Sequence, residues 1–84
     1  RRDPITGLFN RAEILSAIGK TLRIFRNTKQ SCAVILVDLD RFKQVNEVLG
    51  HAAGNEVLKQ AAARLVRIAG NSGTVARINA DEFL

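Results

Sequence analysis

Six consecutive apolar residues, Cys32-Ala33-Val34-Ile35-Leu36-Val37, run straight into Asp38-Leu39-Asp40 and constrain the fold more than anything else in the chain. An alternating pattern would mark a strand wetted on one face. An unbroken run rich in β-branched side chains suits a central strand covered on both faces. Such a strand needs helices above and below it, which calls for an α/β (α+β sandwich) arrangement, a central sheet with flanking helices. Cys32 belongs to this run. One thiol makes no internal disulfide, so it is expected to be a small buried hydrophobe in a reducing, cytoplasmic setting.

The rest of the chain supplies those helices. Asp3-Pro4-Ile5-Thr6-Gly7-Leu8 is a turn-rich leader, after which Asn10 and Glu13 have the spacing of a capping box. Ile14, Ile18, Leu22 and Phe25, with Leu15 beside them, form one apolar stripe on a helix of about four turns. Beyond the apolar run, Asp40 is placed to cap a short helix carrying Phe42, Val45 and Leu49 and ended by Gly50. Gly54 precedes a second helix with Val57, Leu58, Ala61, Leu65 and Ile68 facing inward, closed by Gly70. Asn71-Ser72-Gly73 is a turn, Thr74 to Ile78 a strand, Asn79-Ala80 a tight connection, and Asp81 opens a further strand. The predicted order is helix, strand, helix, helix, strand, strand. No repeat or linker interrupts it, so residues 1–84 read as part of one domain, and the opening on Arg1 rather than Met is expected of a segment of a longer protein.

The net charge of +5 is uneven: residues 1–30 hold seven Lys/Arg against Asp3 and Glu13, whereas residues 31–84 balance six against six. A basic excess suits nucleic acid or a membrane surface. Here it belongs to the first helix and its leader, where Lys20, Arg23 and Lys29 lie off the apolar stripe, so a solvated helix face is expected and no nucleic-acid partner. No apolar run approaches the about 20 residues of a membrane span, so membrane contact from this segment is not expected.

Chemistry is best placed at Asp38-Leu39-Asp40. Ligands of open α/β sheets gather at the carboxyl ends of strands, and a helix starting just after Asp40 would aim free N–H groups at a phosphate. Asp38 beside a phosphate is a fitting ligand for Mg²⁺ or Mn²⁺. Asp81-Glu82 is a second acidic pair. If the second strand pairs beside the first, Asp81 reaches the same ion, and two carboxylates holding two ions activate a hydroxyl against phosphorus. An Asp ending a strand, an Asp capping a helix and an acidic hairpin also arise for structural reasons alone. Asn46 and Asn55 offer the donor and acceptor that suit a base edge. His51 has no Cys or His companion, and loop packing is its default.

Four ordered segments together resemble the GGDEF family, the bacterial enzymes that join two GTP molecules into cyclic di-GMP. Residues 3–11, Asp3-Pro4-Ile5-Thr6-Gly7-Leu8-Phe9-Asn10-Arg11, look like its opening D-x-L-T-G-L-x-N-R. Residues 38–47 resemble D-x-D-x-F-K-x-x-N-D, and residues 50–55 resemble G-H-x-x-G-D. Residues 77–83, Arg77-Ile78-Asn79-Ala80-Asp81-Glu82-Phe83, resemble the signature R-x-G-G-D-E-F. The resemblance implies the first part of a nucleotidyl-cyclase, ferredoxin-like domain, truncated at its C-terminal side. It implies that Asp38 and Asp81 hold divalent ions with the Leu39 carbonyl assisting, and that Phe42 and Lys43 lend N–H groups to phosphates. Asn46 and Asn55 would face guanine, Asn79 and Ala80 the nucleotide, and Glu82 would fill the second acidic place of the signature. Its implied partners are GTP, a second copy of the domain, and a phosphodiesterase or sensor domain, fused or separate; the implied place is the cytoplasm, including the cytoplasmic part of a membrane-bound sensor.

The departures bear on activity. Asn79 and Ala80 replace both signature glycines, whose turn is expected to need φ > 0 and a close approach of bare backbone. Asn55 stands for Asp: a carboxylate accepts from both N1–H and N2–H of guanine, whereas an amide has one acceptor. Glu47 for Asp is mild. The family's R-x-x-D product-inhibition motif would fall at Gly70-Asn71-Ser72-Gly73, where neither charge is present, so no product-inhibition site is expected. A degenerate, weakly active or silent GTP-binding regulatory module, an active diguanylate cyclase, and a basic nucleic-acid-binding module are the three readings the sequence leaves.

Overall fold

The capping box forms at the start of the first helix. Asn10 Oδ1 accepts from Glu13 N–H at 2.9 Å and Glu13 Oε1 accepts from Asn10 N–H at 3.0 Å, opening α1 (Arg11–Thr28). Lys29 closes α1 in the left-handed region, at φ 58°. In this computed structural model, which describes residues 2–84, five elements follow: β1 (Val37–Asp38), α2 (Phe42–Leu49), α3 (His51–Ala69), β2 (Arg77–Asn79) and β3 (Glu82–Phe83), with one 3-10 turn at Gly70–Ser72 before β2.

The predicted order of elements is the observed one, but the sheet is wound differently. Its strand order is β1-β3-β2, both pairs antiparallel, so the third strand rather than the second lies against the first. Residues linked by a two-residue turn form a hairpin more readily than they insert a distant strand, and β2–β3 is such a hairpin.

Only the last residue of the apolar run, Val37, enters the sheet. Val37 pairs with Phe83 and Asp38 with Glu82. One step further the ladder would set Leu36 against Leu84, and residues 32–35 meet no strand among the described residues. A strand without a neighbour keeps its N–H and C=O groups on water and gains no ladder. Cys32 is accordingly exposed rather than buried, and Ile35 keeps 69% of its surface in solvent. The run and α1 flank an open groove of about 420 Å³ whose walls include Ile14, Ile18, Val34, Ile35, Ile68 and Leu84. Ile68, expected inside, is 81% exposed at its rim, and Leu15, Leu22 and Leu49 are also exposed.

Burial is concentrated next to this groove, with Val37, Leu65, Val75 and Phe83 shared between the two. Phe42, Leu58, Ala62 and Phe83 form the core, with Ile5, Leu8, Val37, Leu39, Ala61, Leu65 and Val75 packed around it. Leu58 and Ala62 follow Gly54 at four-residue steps along α3 and face α2. Gly54 therefore lies inside α3 rather than before it. Only Gly50 separates the two helices: at φ 92° it donates to Asn46 C=O at 2.9 Å and ends α2, and α3 starts at His51. The left-handed φ is a conformation that glycine adopts without a Cβ clash. His51 is exposed at the first position of α3.

The leader folds back on itself through Asp3. Its carboxylate accepts from the N–H and the hydroxyl of Thr6, both at 2.8 Å, and its N–H donates to Leu8 C=O at 2.8 Å. Gly7, at φ 74°, allows the reversal. Phe9 C=O then accepts from Arg77 N–H at 2.9 Å, tying the leader to the start of β2.

Candidate active site

Pairing of β1 with β3 decides which polar groups meet. Asp38 lies opposite Glu82, and Leu39 N–H donates to Asp81 C=O at 3.0 Å, so the end of β1 and the hairpin turn are joined by backbone. Desolvation by its neighbours pushes the exposed Asp38 carboxyl above the usual aspartate range. The negative charges of Asp81, Glu82 and Asp40, and a side-chain hydrogen bond with Asp81, push it the same way. The structure thus brings together Asp38, Asp81 and Glu82 from two segments more than forty residues apart in sequence. Like charges gathered at one sheet end are what a divalent cation relieves, and carboxylates suit a hard one. Among the described residues no three His, Cys, Asp or Glu side chains form a metal shell. Mg²⁺ ordinarily takes one or two carboxylates and completes its octahedron with water and phosphate oxygens, so two carboxylates fit it.

Helix α2 starts beside this acidic end. Asp40 is not its cap: Arg41 holds that position at φ 61°, and no side chain of the described residues caps the helix. A left-handed Arg41 turns the chain sharply, and Asp40 stays outside the helix. The first helical N–H groups, those of Phe42 and Lys43, accordingly make no hydrogen bond among the described residues and point out of the N-terminus, where anions are favoured. Phe42 also anchors the helix in the core, while the Lys43 side chain is exposed and only 4.0 Å from Glu47 Oε1.

The turn itself differs from expectation. Asn79 pairs with Glu82 across Ala80-Asp81, and the register shifts between Arg77 and Asn79. Neither Asn79 nor Ala80 has a positive φ; Lys29 and Arg41 are the non-glycine residues that do among those described. The irregular register absorbs the turn's geometry, so the backbone conformation demands no glycine. The Asn79 amide donates to Glu82 Oε1.

Two groups that the sequence treats only as motif letters hold this turn. Arg77 donates from Nε at 3.2 Å and from an Nη at 2.9 Å to Ala80 C=O, and from its other Nη to Asp3 Oδ1 at 3.1 Å. Both side chains of the Asp3–Arg77 pair are 13% exposed. Burial pushes the Asp3 carboxyl up, but hydrogen bonds from Thr6 and the charge of Arg77 outweigh it and leave the pKa below the ordinary value. The only sequence signal for this relay is an acid in the leader and a base before the turn, and pattern reading does not pair residues so far apart.

Asn46 and Asn55 stand on the α2–α3 hairpin, both half-buried. Asn46 Oδ1 is fully buried and has no hydrogen-bond partner among the described residues. Leaving a buried acceptor unsatisfied costs about 1–3 kcal/mol, an expense concentrated at functional sites.

The sequence profile of the family described as "Diguanylate cyclase, GGDEF domain" matches residues 1–84. The chain belongs to the GGDEF family. Diguanylate cyclase TpbB of Pseudomonas aeruginosa is 41% identical over 81 residues, covering 96% of this chain and 19% of that protein. A cyclic di-GMP phosphodiesterase of the same organism, NbdA, is 37% identical over 83 residues, 99% of this chain and 11% of that one. The solved GGDEF domain of TpbB superposes with a TM-score of 0.94 at 40% identity, covering 99% of this chain and 48% of the other. The GGDEF domain of DgcB from Caulobacter crescentus, solved in complex with c-di-GMP, gives 0.93 at 26% identity over 98% of this chain and 48% of that one. The chain spans less than half the length of each of these relatives. Among its described residues no helix is long and apolar enough to cross a membrane.

Proposed function

We propose that this GGDEF segment is the nucleotide-facing part of a GTP-binding module of cyclic di-GMP signalling, weakly active or silent as a cyclase and regulatory in role. The observation that carries the reading is the meeting of Asp38, Asp81 and Glu82 with the uncapped N-terminus of α2. In this reading the N–H groups of Phe42 and Lys43 receive the terminal phosphates. Asp38 and Asp81, with the Leu39 carbonyl, hold one or two Mg²⁺ or Mn²⁺ ions beside them. Such ions, when bound, polarise phosphoryl oxygens and ease deprotonation of the attacking hydroxyl. Asn46 and Asn55 take the base, and Glu82 completes the acidic end.

Weak catalysis follows from side chains rather than backbone strain. The Ala80 Cβ stands where a glycine would let the nucleotide approach bare backbone, and a small displacement of a reacting centre costs rate steeply. Asn55 gives guanine one acceptor where an aspartate gives two; a lost charge-assisted bond is worth about 1.5–3 kcal/mol, roughly tenfold to a hundredfold in affinity. The Asn79 amide occupies Glu82. Relatives named as cyclases and one named as a phosphodiesterase carry this kind of segment, so membership does not itself imply cyclase activity. A regulatory role would be exercised through a second copy or through a sensor or phosphodiesterase domain.

An active cyclase is the second reading, favoured by the relaxed φ of Asn79 and Ala80 and by the retained acidic residues. Incubating the intact protein with GTP and Mg²⁺ and separating products by chromatography distinguishes the two. Robust formation of cyclic di-GMP would sink the silent-module reading. In its absence, the triple variant Asn55→Asp, Asn79→Gly, Ala80→Gly should gain activity; a triple variant that stays inert would refute this account of the defect.

A further inference from the structure

Glycine is a poor helix former, yet Gly54 lies in the first turn of α3 and is buried. Gly50 and Gly70 are explained by their left-handed φ, with no atom of the described residues near the place of a side chain. Gly54 is the reverse case: its φ is ordinary and its surroundings are full. A Cβ there would stand 1.7 Å from Asn46 Oδ1 and 2.9 Å from Asn46 Cγ, with Phe42 Cζ at 3.4 Å. The two closest approaches are far inside van der Waals contact, and both are to one side chain. That side chain is the one whose oxygen is sealed from water without a partner among the described residues. Its other end, Nδ2, makes no hydrogen bond to any described residue. An amide free to turn would swing its oxygen out to water; this one is held down on the bare backbone of α3.

We propose that Gly54 is a positioning residue for base recognition: its missing Cβ seats the Asn46 amide against α3 and fixes the direction in which the free end of that amide meets a purine nucleotide. The inference rests on Asn46 facing the base, as in the proposed function. Ordinary close packing of two helices would bring backbone to the glycine, whereas here the obstructing atoms belong to the Asn46 side chain. Removing that side chain should therefore abolish the need for glycine.

The test is a double-variant cycle in the intact protein: Gly54→Ala, Asn46→Ala and both together. Thermal unfolding and the affinities for fluorescent GTP and ATP analogues are measured on each. Gly54→Ala should lower the melting temperature sharply in the parent and little in the Asn46→Ala background. If the single variant does not fold, recovery of folding in the double variant is the expected result. Gly54→Ala should also lower the ratio of GTP to ATP affinity about tenfold, the loss of roughly one hydrogen bond, and to the same value as Asn46→Ala. A preference ratio is not moved by loss of stability alone. Additive melting losses, or a GTP preference that survives Gly54→Ala while Asn46→Ala removes it, would overturn the proposal. An Asn46→Ala variant with unchanged preference, or a parent that binds neither nucleotide, would overturn the underlying functional reading instead, and the melting cycle would still decide the packing relation.

Discussion

At the scale of single residues, Asp3 and Arg77 tie the leader to the turn that carries Asp81. Arg77 grips the carbonyl of Ala80, one residue before Asp81, and Asp3 holds Arg77. Arg77→Met should loosen the turn and weaken Mg²⁺ and nucleotide binding together, while Asp3→Ala should destabilise the fold by about 2–3 kcal/mol because it strands a mostly buried guanidinium. Chemical denaturation and calorimetric titration measure the two effects. The pKa of Asp3 is lowered in the folded protein, so its contribution is complete above the ordinary aspartate pKa and fades as pH falls through the folded value. Thr6→Val and Arg77→Met should flatten the acid side of the stability profile, followed as melting temperature against pH. Asp38 behaves oppositely. Its exposed carboxyl is raised by desolvation and by its acidic neighbours, so its ionised form is disfavoured; the proposed cation would offset this. Mg²⁺ binding should therefore release protons and strengthen with rising pH across the carboxylate range, and Asp81→Asn should lower the Asp38 pKa, read by carboxyl NMR.

At the scale of elements, legibility followed locality. The α1 start was readable because its signal, Asn10 and Glu13, sits within one turn, and Asn10→Ala should cost about 1 kcal/mol in denaturant unfolding. Gly50 and Gly70 were legible as helix ends because left-handed φ is a property of the residue itself. The extent of β1 was not, because a strand exists only where another chain segment bonds to it, and a hydrophobic run cannot say where its partner stops. The candidate site was half legible for the same reason. Asp38, Asp81 and Glu82 stand out as acidic residues of the motifs, but the β1-β3-β2 order that brings them together, and the φ values that relieve Ala80 of strain, are set by pairing. Asp40 failed as a helix cap because Arg41, which nothing in its side chain marks for left-handed backbone, takes the position.

At the scale of the whole molecule, burial is lopsided. The sheet is packed by residues of α2 and α3, whereas Val34, Ile35 and Ile68 stay open along the groove beside α1. Contiguous apolar surface of this kind makes a chain adhesive. Residues 1–84 expressed alone should bind an apolar dye and associate with rising concentration, and Ile35→Lys should reduce both; fluorescence and light scattering decide.

The contact between Asp3 and Arg77 also carries information about time. It joins residues 74 positions apart, so the leader and β2 must meet before it can form. Closing a loop of that length costs roughly 4 kcal/mol of chain entropy, a cost the pair shares with the Phe9–Arg77 backbone bond, so it is expected to form late on the folding route. A late contact is absent from the transition state, and its loss is felt in how fast the native state comes apart rather than in how fast it is reached. Disrupting the pair should steepen the escape from the folded state in stopped-flow unfolding and leave the refolding arm almost where it was.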